Sequence, residues 1–462
     1  GDWSSDVCSS DLDKWTAVWL CVIIALVYAI LSGFWGVVVT DLVQFVIAMF
    51  GSIALAIIAL NYVGGMEVLL SKLNELLGTD VVTDNTLKFI PPIPDTGVAT
   101  QTFWESPFSK FLIFISVMWW SHHGTDGGGY IIQRMSSAKN ERHALLATLW
   151  FNIAHYALRV WPWIIVAVVS IVMFPIIPSE YSELGVKAGY PLVMNTLLGP
   201  GLKGILIVSF LAAFMSTIDT HLNWGVSYLI NDIYKRFFKP NESERHYVLV
   251  GKIMTVILMI LAAFTALKMQ SISKAWEFIF AMGAGIGLVL ILRWFWWRVN
   301  AWSEITALAT SIVITISFEI IAYFQTINNN LEYSLFGSAP SIFGMSLQVH
   351  HKLMIIVPIA IIAWVTVTFF TEPEPMTKLE SFYKRVQPGG WWGPVTSSFD
   401  HTLQPVTKGI FILWLAGVMM IYGFTFGIGN LIFQNYSSSV ILFGFAGIGS
   451  YLIWNRNISK LT

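Results

Sequence analysis

Apolar runs of bilayer length recur along this chain, at roughly 15–31, 34–62, 108–132, 143–176, 202–234, 247–268, 275–298, 302–325, 352–371, 408–428 and 437–455. Each approaches or exceeds the roughly 20 residues that a helix needs to cross the hydrocarbon. About eleven such spans predict an all-α polytopic membrane protein. Composition agrees, since 56% hydrophobic and 11% charged residues lie far outside the soluble range. Basic residues cluster on alternate connections: Arg134, Lys139 and Arg142; Lys235, Arg236, Lys239 and Arg245; Arg293 and Arg298; Lys378, Lys384 and Arg385; Arg456 and Lys460. That side is expected to be cytoplasmic, which places the C-terminus inside an inner (cytoplasmic) membrane and connections such as 328–346 outside. Cys8 and Cys21 build no disulfide framework. A net charge of -1 gives no sign of a nucleic-acid partner, and no obligate protein partner is indicated beyond the lipid bilayer.

Residues 201–235, GLKGILIVSFLAAFMSTIDTHLNWGVSYLINDIYK, are long enough to span yet carry a polar stripe. At helical spacing Ala212, Ser216, Asp219, Thr220, Asn223 and Ser227 share one face. A carboxylate near mid-membrane costs about 2.5 to 3.5 kcal/mol, so this face lines protein or a watery path and Asp219 needs an ion or a cationic partner. Hydroxyls and carboxylates suit a small hard cation and do not suit zinc or copper. The structural alternative has Ser216 and Thr220 back-bonding to the preceding turn and Asp219 paired with a buried arginine.

Three more stretches carry chemistry. In GFWGVVVTDLVQFVIAM, Asp41 sits on the order of 12 Å inside its span, where its structural reading is a capping or paired carboxylate. FLIFISVMWWSHHGTDGGGYIIQRMSSAKN starts as a span and is expected to break at 124–129, because a glycine run removes helix stability and a broken helix at membrane depth lines a cavity. No strand precedes Gly127, Gly128 and Gly129, so they form no phosphate loop; the adjacent His122 and His123 diverge on a helix and make a poor metal pair. No His-Glu-x-x-His motif occurs. In ALLATLWFNIAHYALRVWPWIIVAVVS, His155 and Arg159 share a face near mid-span, with a kink expected beyond them at Pro162. Arg159 either contacts a solute or neutralises Asp41, Asp126 or Asp219. GAGIG at 283–287 lies inside an apolar span, which excludes a dinucleotide site and leaves Gly283 and Gly287 as a packing face.

AAFMSTIDTHLN followed by NDIYKRF resembles the eighth core helix of the sodium:solute symporter family. TDLVQ at 40–44 resembles its Thr-Asp-x-x-Gln signature on the fifth core helix, and Tyr130, Gln133 and Arg134 resemble the close of its sixth. The resemblance covers about residues 13–455 and implies the leucine-transporter-type inverted-repeat fold, here with the fourth to tenth core helices and about four peripheral ones. It implies sodium-coupled symport of a small polar solute, no enzymatic activity, and sodium bound by the Ala213 carbonyl and the Ser216 and Thr217 hydroxyls. Members with a second sodium hold it at the places of Asp41, Asp219 and Thr220. By ungapped count, the sugar-binding Asn of sugar members is Ser121 here, their aromatic gate is Gly124, their sugar-binding Lys is His155 and a Gln is Phe280. Those departures predict a solute other than a neutral hexose, contacted by Ser121, His122, His155, Arg159 and Phe280, with His155 and Arg159 favouring an anion. Two other classes compete: a transporter-like sensory domain, and an intramembrane enzyme using Asp41, His155, Arg159 and Asp219. Residues 1–12, GDWSSDVCSSDL, resemble a translated sequencing adapter, so the transporter domain is expected over 13–462 with its first three core helices missing.

Overall fold

The computed structural model describes residues 14–78, 90–94, 100–181, 184–269, 272–329, 340–342, 344–397 and 407–455. The leader at 1–12 lies outside them. Among the described residues eight helices are long and apolar enough to cross a membrane, or nine if one bent pair counts as a span. Their apolar faces stay open, as lipid-facing surfaces must, while backbone groups bond within each helix. One two-residue ladder, Ser341–Ile342 with Met345–Ser346, is the sole sheet among the described residues.

The helices follow the apolar runs with three differences. First, the runs at 15–31 and 34–62 join in one 50-residue helix, Lys14–Val63. Gly33 and Gly36 each cost about 1 kcal/mol of helix propensity, but with no proline between the runs nothing removes a backbone bond. Second, the run at 275–298 was expected to be continuous and instead bends by 41° between Ser273–Met282 and Gly287–Phe295. Third, the expected distortion at Pro162 falls one turn earlier, in a wide turn at Ile153–Leu158 where the Arg159 amide bonds the Ala154 carbonyl. Pro162 has no N–H for the carbonyl of residue 158, so the ladder adjusts on its N-terminal side.

The glycine break forms as expected. The helix ending Trp119–Ser121 stops, residues 122–128 turn, and Gly129–Ser136 resumes. Gly127 and Gly128 hold φ of 100° and 70°, where a side chain would be strained.

The chain divides into two units, each described on its own. The first comprises Gly1–Lys88, Gln133–Lys268 and Met419–Ile448. In it the Pro200–Phe238 helix runs along Lys14–Val63, and Glu244–Lys268 packs on both. Val22, Ala25, Leu222, Met259 and Ala263 form the seam, while Leu206, fully buried, fills the notch left by Gly51. Trp163 from Val160–Met173 donates to Ser52 Oγ at 2.9 Å and ties that helix to the same long one.

The second unit comprises Phe89–Ile132, Met269–Val418 and Gly449–Thr462. Its spine is the antiparallel pair Ala301–Asn328 and Val349–Phe370, clasped where Asn300 Nδ2 donates to Thr371 Oγ1 at 2.8 Å and Ser303 meets Thr368 at 2.7 Å. The glycine face predicted at Gly283 and Gly287 is used here: a side chain at Gly287 would collide with the Trp120 and Ser121 carbonyls and one at Gly283 with the His123 ring, while Gly285, outside that face, is packed against Ser311 and Ala360. A short helix unforeseen in sequence, Met376–Val386, buries Leu379 and Tyr383 against Trp392 and Val395.

Candidate functional site

In the first unit the polar stripe of Pro200–Phe238 meets the Asp41 turn of the long helix. Ser216 Oγ donates to Asp41 Oδ1. Thr217, one residue on, leaves the helix in another direction, is exposed, and donates to the Ala213 carbonyl at 2.9 Å. Back-bonding therefore falls to Thr217, whereas the structural alternative assigned it to Ser216 and Thr220. Each hydroxyl donates its proton, Ser216 to a carboxylate and Thr217 to a carbonyl, and so keeps oxygen lone pairs free to accept. Such a donor set fits a small hard cation.

The other Asp41 oxygen lies 3.4 Å from Arg134 Nη2, which also donates to Thr220 Oγ1 at 3.1 Å. Asp41, Ser216 and Thr220 thus come together, with a guanidinium between the first and the last. Asp219 is fully buried and accepts from Asn223 Nδ2 at 2.9 Å, one turn along its own helix.

His155 and Arg159 meet on the wide turn, with Arg159 Nη2 at 3.3 Å from His155 Nε2. A guanidinium only donates, so this imidazole nitrogen accepts. The Arg159 guanidinium lies 5.4 Å from the Trp163 ring centre, its Nε is buried without a hydrogen-bond partner, and the His155 ring stacks on Phe151 at 5.0 Å. Among the described residues no carboxylate stands within ion-pair distance of Arg159. Of the three partners weighed for it, Asp41 pairs with Arg134, Asp126 pairs with Arg293 at 2.9 Å, and Asp219 bonds Asn223.

The remaining solute candidates belong to the second unit and gather at the glycine break. Ser121 is fully buried and its hydroxyl has no hydrogen-bond partner among the described residues. His122 Nδ1 accepts from the Gly124 amide at 2.8 Å, which turns the ring back over the break, and its centre stands 6.3 Å from that of Phe280. Among the described residues no cluster of three or more His, Cys, Asp or Glu could hold a metal ion.

The family model described as the sodium:solute symporter family matches residues 9–313. The chain belongs to the sodium:solute symporter family. It is 25% identical to the sodium/glucose cotransporter 1 of Oryctolagus cuniculus over 79% of this chain and 57% of the relative. It is 23% identical to the osmoregulated proline transporter OpuE of Bacillus subtilis over 65% of this chain and 57% of that one. The chain thus spans little more than half the length of these curated relatives. A solved substrate-bound, outward-open sodium-coupled sialic acid symporter matches 80% of this chain and 71% of its own, with a TM-score of 0.53 at 15% identity. That likeness supports the leucine-transporter-type fold. Because the symporter family and these relatives are transporters, the enzyme alternative falls away.

Sequence reading of this symporter counted Arg134 as loop charge and as part of the close of the broken helix, and missed it as the partner of Asp41. Its place in the Gln133-Arg134 close of the broken helix was the available signal. Arg293 was missed in the same way.

Proposed function

We propose that the protein imports a small anionic solute across the cytoplasmic membrane together with sodium, its basic connections and C-terminus facing the cytoplasm. The observation that carries the solute class is Arg159, a mid-span cation without a carboxylate partner among the described residues, partly dehydrated and oriented by His155 and Trp163. A cation left so at membrane depth is costly unless an anion reaches it, and a charge-assisted bond there is strong. The relatives include sugar and proline transporters by name, so family membership alone does not select the solute. The neutral-hexose positions are altered at Ser121, Gly124 and Phe280, which supports the same choice.

Sodium is cargo as well as driver. Its proposed ligands are the Ala213 carbonyl, Ser216 and Thr217, with Asp41 behind Ser216 supplying negative potential. A second sodium at Asp41, Asp219 and Thr220 requires Arg134 to withdraw from Asp41 and Thr220. Sodium binding favours the state that holds solute more tightly, and a membrane potential adds about 2.3 kcal/mol per charge per 100 mV.

Vesicles carrying the full-length protein, with an inward sodium gradient and a negative interior, are expected to accumulate a labelled small carboxylate. Choline in place of sodium should abolish accumulation, and glucose should not compete. Sodium-independent accumulation contradicts the coupling, and competition by glucose contradicts the solute class.

A further inference from the structure

We propose that Arg293 is a positioning residue for the solute site, holding the 122–128 break of the sixth core helix against Gly287–Phe295 through Asp126; this rests on the transport reading above. The break has little structure of its own. Its turns are closed by the Thr125 amide on the His122 carbonyl at 3.2 Å and the Gly127 amide on the Gly124 carbonyl at 3.0 Å, with two glycines in the left-handed region. Such a segment samples many conformations unless something outside it selects one. Asp126 does so with both oxygens. Oδ1 accepts the Gly128 amide at 3.2 Å, and Oδ2 accepts Arg293 Nη2 at 2.9 Å.

Arg293 stands in the last turn of Gly287–Phe295. Six residues earlier, about 9 Å along that helix, Gly287 lies against the Trp120 and Ser121 carbonyls. The same helix therefore grips the broken helix at two points, on the residue before the break and within it. The first grip falls on Ser121 itself, and between the two along the chain lies His122, whose ring centre stands 6.3 Å from that of Phe280; these are the three solute candidates of this unit. Arg293 Nη1 also bonds Glu304 Oε1 at 3.1 Å, in the first turn of Ala301–Asn328. Two carboxylates on one guanidinium mean that release of Asp126 leaves Arg293 paired with Glu304, while the Asp126 carboxylate loses its cation, which favours the held state of the break. The fork suits arginine, because a lysine ammonium is a point charge without paired planar donors.

The test uses Arg293→Gln, Asp126→Asn, the double variant and Arg293→Lys in the full protein. Asp126→Asn retains an oxygen for the Gly128 amide and removes only the charge that Arg293 reads. Amide hydrogen exchange in 122–128 is expected to quicken by about tenfold in either single variant, with no further gain in the double and a smaller effect in Arg293→Lys. Exchange across 207–228, which carries the sodium candidates, should not change. In uptake, the solute concentration for half-maximal rate should rise by about tenfold while the sodium concentration for half-maximal rate and the maximal rate change little. Unchanged exchange at the break, or additive effects of the two substitutions, overturns the positioning role. Absence of sodium-driven uptake by the unmodified protein overturns the transport reading instead, and the exchange result still decides the role of Arg293.

Discussion

Arg159→Gln should raise the solute concentration for half-maximal uptake by roughly 10- to 100-fold and leave the fold intact. A hydrogen bond to a charged group contributes about 1.5 to 3 kcal/mol, which spans that range. Glutamine keeps a hydrogen-bonding head of similar reach but cannot present a positive fork to an anion. Folding should tolerate it, because no carboxylate among the described residues depends on Arg159. The structure also predicts that Asp219→Asn does not rescue Arg159→Gln, since Asp219 bonds Asn223 and Asp41 has Arg134. Thermal unfolding in detergent separates the accounts. A large loss of stability on Arg159→Gln, recovered by Asp219→Asn, indicates an internal ion pair and removes the argument for an anionic solute.

The second large effect concerns sodium. Joint replacement of Ser216 and Thr217 by alanine should raise the sodium concentration for half-maximal uptake by about tenfold or more, each lost oxygen ligand contributing on the order of 1 kcal/mol or more. Ser216→Ala alone should also loosen Asp41, which among the described residues then keeps the longer contact to Arg134. Thr217→Ala alone should act on sodium without disturbing Asp41, because among the described residues the Thr217 hydroxyl bonds within its own helix, at Ala213. Measuring uptake against sodium concentration for the three variants decides the assignment. Unchanged sodium dependence in the double variant removes Ser216 and Thr217 from the site.

The bilayer made much of this fold readable, because hydrocarbon forces a helix wherever about 20 apolar residues run together. The break at 122–128 was legible for a related reason: Gly127 and Gly128 adopt φ values that mark glycine directly. The bend at 283–286 was not, because its GAGI sequence is equally consistent with a helix packing face and only the contact of Gly287 with the Trp120 carbonyl reveals the second role. Within the site, the stripe on 201–235 correctly grouped Ser216 and Thr220, since periodicity fixes which residues share a helix face. Periodicity says nothing about what stands opposite. Arg134 and Asp41 lie 93 residues apart, and their pairing is a product of tertiary packing that loop-charge counting cannot see. Asp219 shows the same limit in reverse: a buried carboxylate demanded a partner, and part of the answer was Asn223, a neutral donor one turn away.

Coupling between sodium and an anionic solute is tested more directly by binding than by transport. The dissociation constant of a labelled carboxylate solute should be measured in sodium and in potassium at equal ionic strength, with Ser216→Ala/Thr217→Ala as the reference. Coupling of about 1 to 3 kcal/mol predicts solute affinity roughly 5- to 150-fold tighter in sodium, and by linkage the solute must tighten sodium by the same factor. The double variant should lose most of that difference. Equal solute affinity in sodium and potassium for the unmodified protein contradicts the account.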